Sequence, residues 1–255
     1  MKLMPDDASL ESLTRVFGMR PSRLKLTAGA VRIAELSNTH TVLEVGCGNG
    51  MTALFLSQEY GCNVIGIDLS ERMIALAAKR AEAERLAYKA EFLVADAVDL
   101  PFLDSMFDTI MCEAVFSTLV DKERAAKEFR RVLRSGGKLL ILDFVFRREI
   151  TKELQSQMSF LPCLARTRQL EGYIRLFEQV GFQNPYTEDH SEEVRRAGCW
   201  IAYTYGSWDK LFANLSAQSG CGSKETRDAT SLVKTCQRFS KEAELGYALI
   251  ALTKP

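Results

Sequence analysis

The chain predicts an α/β fold built on a doubly wound, mostly parallel sheet, and three observations predict it. Short apolar runs alternate with helical patterns from Thr41 to about Phe146. The first run opens into a loop with glycine at every second position, and the second ends in a carboxylate. Alternation of this kind calls for parallel strands joined by right-handed crossovers.

Taken in order, residues 1–40 carry helical patterning, first through Leu10, Leu13, Val16 and Phe17, then through Val31, Ile33 and Leu36. Between them Phe17-Gly18-Met19-Arg20-Pro21-Ser22 reads as an interhelix loop that borders a site or simply joins the helices. Strands are expected at 41–45, 63–67, 91–95, 108–113 and 138–145. After the second, Ser70 is placed to cap a helix outlined by Met73, Ile74, Ala77, Ala78 and Ala81. After Asp121, Ala125, Phe129, Val132 and Leu133 share one helical face, and Gly136-Gly137 is expected to stop that helix. Leu170, Ile174 and Phe177 suggest another helix, ended by Gly181, with strands following at 183–188 and 245–252. Residues 189–243 are polar and partly aromatic, with Trp200, Tyr203, Tyr205, Trp208 and Phe212 ahead of a Ser219-Gly220-Cys221-Gly222-Ser223 turn. They predict a helical insertion that packs on the domain or shapes specificity.

At 255 residues the chain suits one large domain. We divide it into a cover (1–40), a core (41–188 and 244–255) and the insertion (189–243). Lys plus Arg equals Asp plus Glu at 33 each, with a pI near 6.8, so no global field recruits nucleic acid or anionic lipid. The seven cysteines form no C-x-x-C pair. With no apolar N-terminal segment and no membrane-length apolar run, they point to a reducing, cytoplasmic setting. Neither His40 nor His190 sits in a metal or triad spacing, so no metal is assigned.

The chemistry concentrates in Glu44-Val45-Gly46-Cys47-Gly48-Asn49-Gly50, directly after Thr41-Val42-Leu43. A dinucleotide loop would place its third glycine where this chain has Met51. Asp68 stands 18 positions after Gly50 at the end of a strand, where a carboxylate can accept both ribose hydroxyls of an adenosine. A third strand ends at Asp96-Ala97, and a fourth at Cys112-Glu113, at the carboxyl edge where open parallel sheets bind ligands.

The glycine spacing, the acidic residues after the second and third strands, and the runs Phe129-Arg130-Arg131-Val132-Leu133 and Arg134-Ser135-Gly136-Gly137-Lys138 together resemble class I S-adenosylmethionine-dependent methyltransferases. The closest likeness is to the small-molecule branch that includes the quinone and arsenite enzymes. That resemblance implies a Rossmann-like seven-stranded sheet with its last strand antiparallel at the far end. It also implies S-adenosylmethionine as cofactor, with S-adenosylhomocysteine as product. Carried over residue by residue, it places the cofactor on Glu44, Gly46, Cys47, Gly48, Asn49, Gly50, Asp68, Leu69, Met73, Asp96, Ala97 and Cys112. Glu113 is the leading acceptor-side residue, to orient the methionine amino group or to act as a base. The acceptor expected is a small molecule. A thiol or metalloid acceptor is the alternative, prompted by Cys163, Cys199, Cys221 and Cys236, although Ala114 replaces the thiolate of the arsenite enzymes. A non-catalytic cofactor-binding module that engages a protein partner is the other.

Overall fold

The computed structural model describes residues 24–157, 165–193, 238 and 241–255. The expected helix through Leu10 to Phe17, the loop at Gly18, the insertion's aromatics and the cysteines at 163, 199, 221 and 236 lie outside the described residues.

Helix α1 (Leu24–Ala34) leads into β1 (Thr41–Val45), α2 (Met51–Glu59), β2 (Asn63–Asp68), α3 (Glu71–Ala83) and β3 (Ala90–Val94). Strand β4 (Phe107–Glu113), a 3-10 turn (Phe116–Thr118), α4 (Lys122–Val132) and β5 (Leu133–Phe146) follow. The described chain closes with α5 (Lys152–Gln157), α6 (Leu170–Gln179), β6 (Gln183–Asp189) and β7 (Leu245–Thr253). The seven strands form one sheet in the order β3-β2-β1-β4-β5-β7-β6. Strands β1 to β5 pair in parallel, whereas β7 runs antiparallel to both β5 and β6. The last strand is therefore antiparallel, and it sits one place in from the far edge.

Strand alternation sorts the core into two layers. Leu43 and Val45 of β1, Ile110 and Cys112 of β4, and Leu139 and Ile141 of β5 face Ala125, Phe129 and Val132 of α4 and Tyr173 and Phe177 of α6. Their neighbours Val42, Met111, Leu140 and Leu142 face Leu26, Ala30 and Val31 of α1 and Ala53 and Leu56 of α2. Strands buried on both faces read as continuous apolar runs, and β4 is buried along its whole length. Phe116 anchors the first layer, with its ring centroid 4.9 Å from Phe177 and 5.6 Å from Tyr173.

Two capping features have local causes. Ser70 accepts the Met73 N–H at 3.3 Å, and Asp121 accepts the Arg124 N–H at 2.9 Å, so each side chain satisfies a free donor of the helix it starts. The stop at Gly136-Gly137 is corrected. Helix α4 ends at Val132, Leu133 is already extended, and β5 runs on through both glycines. Here the Gly136 N–H donates to the Lys254 carbonyl at 2.7 Å and the Lys254 N–H returns to Gly137 at 3.1 Å, so the C-terminal segment takes the backbone bonds a longer helix would have used.

Candidate active site

Strand order reverses between β1 and β4, both of which pair with neighbours leading in opposite directions across the sheet. A crevice at the carboxyl ends of strands around such a point is where an open α/β sheet receives a ligand. The glycine loop lies there. Gly46, Gly48 and Gly50 have φ of 70°, 54° and 77°, all left-handed. Their surroundings differ. A Cβ on Gly46 would press on Val115, with Cγ1 at 2.8 Å, and one on Gly50 would meet Phe92 Cζ at 2.7 Å and Ala77 Cβ at 2.9 Å. A Cβ on Gly48 would meet nothing within 4 Å. The two outer glycines let the loop lie close on its floor, and the middle one borders open space.

Asp68 ends β2 beside that space. Its Oδ2 accepts the Gly48 N–H at 3.0 Å and its Oδ1 accepts the Ser70 N–H at 2.9 Å. The carboxylate is thus fixed by backbone on both sides while each oxygen keeps a second lone pair. Across β3, Asp96 is exposed and accepts the Val98 N–H at 3.1 Å, with Ala97 buried behind it. Leu69 is 68% exposed and Met73 is half-buried at the start of α3. Open space at Gly48, an oriented carboxylate at Asp68, a second acid at Asp96 and apolar cover from Leu69 and Met73 fit an adenosyl ligand.

Three further residues of the expected set have buried side chains. Cys112 has no exposed surface and packs in the α4 layer, where burial and the nearby Asp143 carboxylate push its thiol well above the ordinary range. Cys47 is 1% exposed, donates its N–H to the Ile67 carbonyl at 2.9 Å and packs against Gly66. Glu44 is 1% exposed, inside the sheet between Gly66 and Met111. These side chains pack beneath the crevice: Glu44 and Cys112 lie on strands covered on both faces, and Cys47 is held in the loop against β2. Asn49 is half-buried, and its carbonyl accepts from Arg80 at 3.5 Å.

Glu113 is 5% exposed at the end of β4. Thr27 of α1 donates its hydroxyl to Oε1 at 2.7 Å, and Thr52 of α2 donates to Oε2 at 3.1 Å. The carboxylate therefore ties α1 and the helix after the glycine loop to the strand edge. Immediately beyond it Ala114 holds φ of 54°, a left-handed conformation that costs an alanine about 1–2 kcal/mol. The turn that follows carries Val115 onto Gly46. Beneath it lie Asp143 of β5 and Lys122 of α4, 1% and 4% exposed. Burial raises the Asp143 carboxyl to about 6 and lowers the Lys122 ammonium to about 8, the latter with help from the Arg168 charge.

Reading by motif misses Thr27, Thr52, Val115, Lys122 and Asp143. Only Asp143 leaves a sequence signal, as an acid interrupting the apolar run from Leu139 to Phe146. Asp108, near the start of β4, belongs to the opposite edge, where it accepts the Thr41 N–H at 2.7 Å and pairs with Arg134. Among the described residues, no group of three or more His, Cys, Asp or Glu side chains is placed to hold a metal, and no helix is long and apolar enough to cross a membrane.

A family model described as a methyltransferase domain matches residues 43–141. A methyltransferase of Streptomyces halstedii, GfsG, is 32% identical over 254 residues, covering 98% of this chain and 85% of its own. The chloroplastic tocopherol O-methyltransferase of Arabidopsis thaliana is 28% identical over 237 residues, covering 89% of this chain and 67% of its own. A geranyl diphosphate methyltransferase solved with S-adenosylmethionine superposes with a TM-score of 0.68 at 19% identity, covering 99% of this chain and 93% of that one, a likeness of fold. Glycine loop, strand-end acids, sheet order and relatives agree: the chain belongs to the class I S-adenosylmethionine-dependent methyltransferases of small molecules.

Proposed function

We propose that the chain moves the methyl group of S-adenosylmethionine in line onto a small, largely neutral acceptor at the Glu113 edge of the sheet, with residues 1–40 and 189–243 completing the acceptor side. The observation that carries this reading is the Asp68 carboxylate, held between the Gly48 and Ser70 N–H groups beside open space. Asp68 would take the ribose hydroxyls, Asp96 and Ala97 the adenine edge, and Leu69 and Met73 its faces. Gly46, Gly48, Asn49 and Gly50 would lie under the amino-acid end.

When bound, S-adenosylmethionine supplies a methyl already activated on a sulfonium, so no strong acid is needed. What remains for the protein is alignment and exclusion of water, which together are worth several orders of magnitude in rate. Glu113 serves as an orienting carboxylate in this reading. A general base must reach the proton it removes, and a carboxylate taking a threonine hydroxyl on each oxygen is committed to holding α1 and α2 in place. Acceptor chemistry that needs a base would then draw it from the acceptor itself or from the cover and insertion.

The reading is tested by the melting temperature with S-adenosylhomocysteine, with NAD as the control. At about 100 times its Kd a ligand adds roughly 2.7 kcal/mol, which moves the midpoint of a chain this size by several degrees. A shift with S-adenosylhomocysteine alone is the expected result, and a shift with NAD alone overturns it. Methyl transfer that survives replacement of Cys163, Cys199, Cys221 and Cys236 together would dispose of the thiol or metalloid alternative. Tight donor binding without turnover on any acceptor would favour the partner-binding module.

A further inference from the structure

The turn after β4 is gripped from two sides by buried charges that come from different elements. Asp143 of β5 accepts the Ser117 N–H on Oδ2 at 2.8 Å and the Phe144 N–H on Oδ1 at 2.7 Å. Lys122, the first residue of α4, donates its ammonium to the Ser117 carbonyl at 2.9 Å and the Leu119 carbonyl at 2.6 Å. An acid takes the turn's donor and a base takes its acceptors, so the polarity is matched at both ends. Within the turn, Thr118 closes on the Val115 carbonyl through its N–H at 2.9 Å and its hydroxyl at 2.6 Å. Phe116 plugs the core with no exposed surface, while the half-buried Val115 lies against Gly46. Burying two ionisable groups is costly, and a turn of this length can be held by apolar packing alone. The cost is met where a position has to be exact, at the contact between turn and glycine loop.

We propose that Asp143 and Lys122 are positioning residues for the donor: they set the Val115–Leu119 turn so that Val115 fixes the Gly46 side of the glycine loop. This rests on the loop holding S-adenosylmethionine as proposed above. The charges act through Val115, and neither touches the ligand.

The experiment measures S-adenosylhomocysteine affinity by calorimetry on the full chain, together with kcat and KM where an acceptor is in hand. The variants are Asp143→Asn, Lys122→Met and Val115→Ala, alone and in pairs with Val115→Ala. Each single change is expected to weaken S-adenosylhomocysteine about tenfold and to raise the donor KM more than it lowers kcat. In a Val115→Ala background, Asp143→Asn and Lys122→Met should cost little more, because contacts acting through one residue are not additive. A merely structural role would lower melting temperature and leave affinity alone or add independently, and either result overturns the proposal. Val115→Ala disturbs no buried charge, so unchanged affinity in that variant also overturns it, even if the charge variants do not fold. Failure of the unaltered chain to bind S-adenosylhomocysteine would instead sink the donor reading itself.

Discussion

Gly48 and Gly136 form a matched pair that isolates the donor site. Both have left-handed backbone, φ of 54° and 79°, and a Cβ at either would meet nothing within 4 Å. Alanine at each should therefore suffer the same backbone penalty, about 1–2 kcal/mol, partly offset by roughly 0.4–1 kcal/mol from a stiffer unfolded chain. A net loss near 1 kcal/mol lowers the melting temperature by roughly 2–4 °C in a chain of this length. The two differ in place: Gly48 sits on Asp68 in the crevice, whereas Gly136 bonds to Lys254 at the opposite end of the strands. A methyl at Gly48 fills the space beside the carboxylate, so Gly48→Ala should weaken S-adenosylhomocysteine tenfold or more, about 1.4 kcal/mol, while Gly136→Ala binds as the unaltered chain does. Calorimetric titration alongside thermal melts reads both quantities. Equal binding by the two variants, or a loss that merely tracks melting temperature, refutes the assignment of the open space at Gly48 to the donor.

Asp68→Ala removes the acceptor of two backbone N–H groups and the carboxylate proposed to take the ribose hydroxyls, so we expect S-adenosylhomocysteine affinity to fall at least tenfold with the fold retained by circular dichroism. Phe129→Ala, at a site with no exposed surface, should cost about 3–5 kcal/mol by urea unfolding. Ala114→Gly relieves a left-handed alanine and should raise the melting temperature by a few degrees, since the penalty removed exceeds the glycine's unfolded-state entropy. For Asp143, a folded pKa of about 6 against an ordinary 3.8 means that the folded chain binds the proton more tightly, so the unaltered chain should gain stability relative to Asp143→Asn as pH falls from 6 towards 4. For Lys122, which faces Arg168, Arg166, Asp143 and Cys112, the folded pKa of about 8 lies below the ordinary 10.5. The unaltered chain should then gain on Lys122→Met as pH rises from 8 towards 10, and an opposite slope in urea titrations would contradict the burial argument.

The geometry around the proposed donor site was readable in the sequence because its parts are local. A glycine loop, a strand-ending acid and a serine cap each draw their geometry from a few consecutive residues, and Gly48, Asp68 and Ser70 stand where that geometry requires. All seven strands were readable for the same reason, to within a few residues except at the start of β5. The floor was not. The burial of Glu44, Cys47 and Cys112 follows from layers and loop contacts assembled across the chain. Thr27 and Thr52 reach Glu113 from 86 and 61 positions away, beyond any motif window. Helix α4 was read too long because the partner that claims Gly136 and Gly137, Lys254, lies at the other end of the chain.

Inserting β7 between β5 and β6 gives this sheet an order of assembly. Among the described residues, nine residues of β5, Lys138 to Phe146, find their outer partners in Leu245 to Thr253, and β6 joins the sheet through that same strand. During synthesis the β5 edge, largely apolar on both faces, stays open until the last strand has emerged, and an open edge of that kind is a template for pairing with another chain. Ribosome-bound chains halted before Leu245 should accordingly demand chaperone protection that chains in which Thr253 has emerged do not.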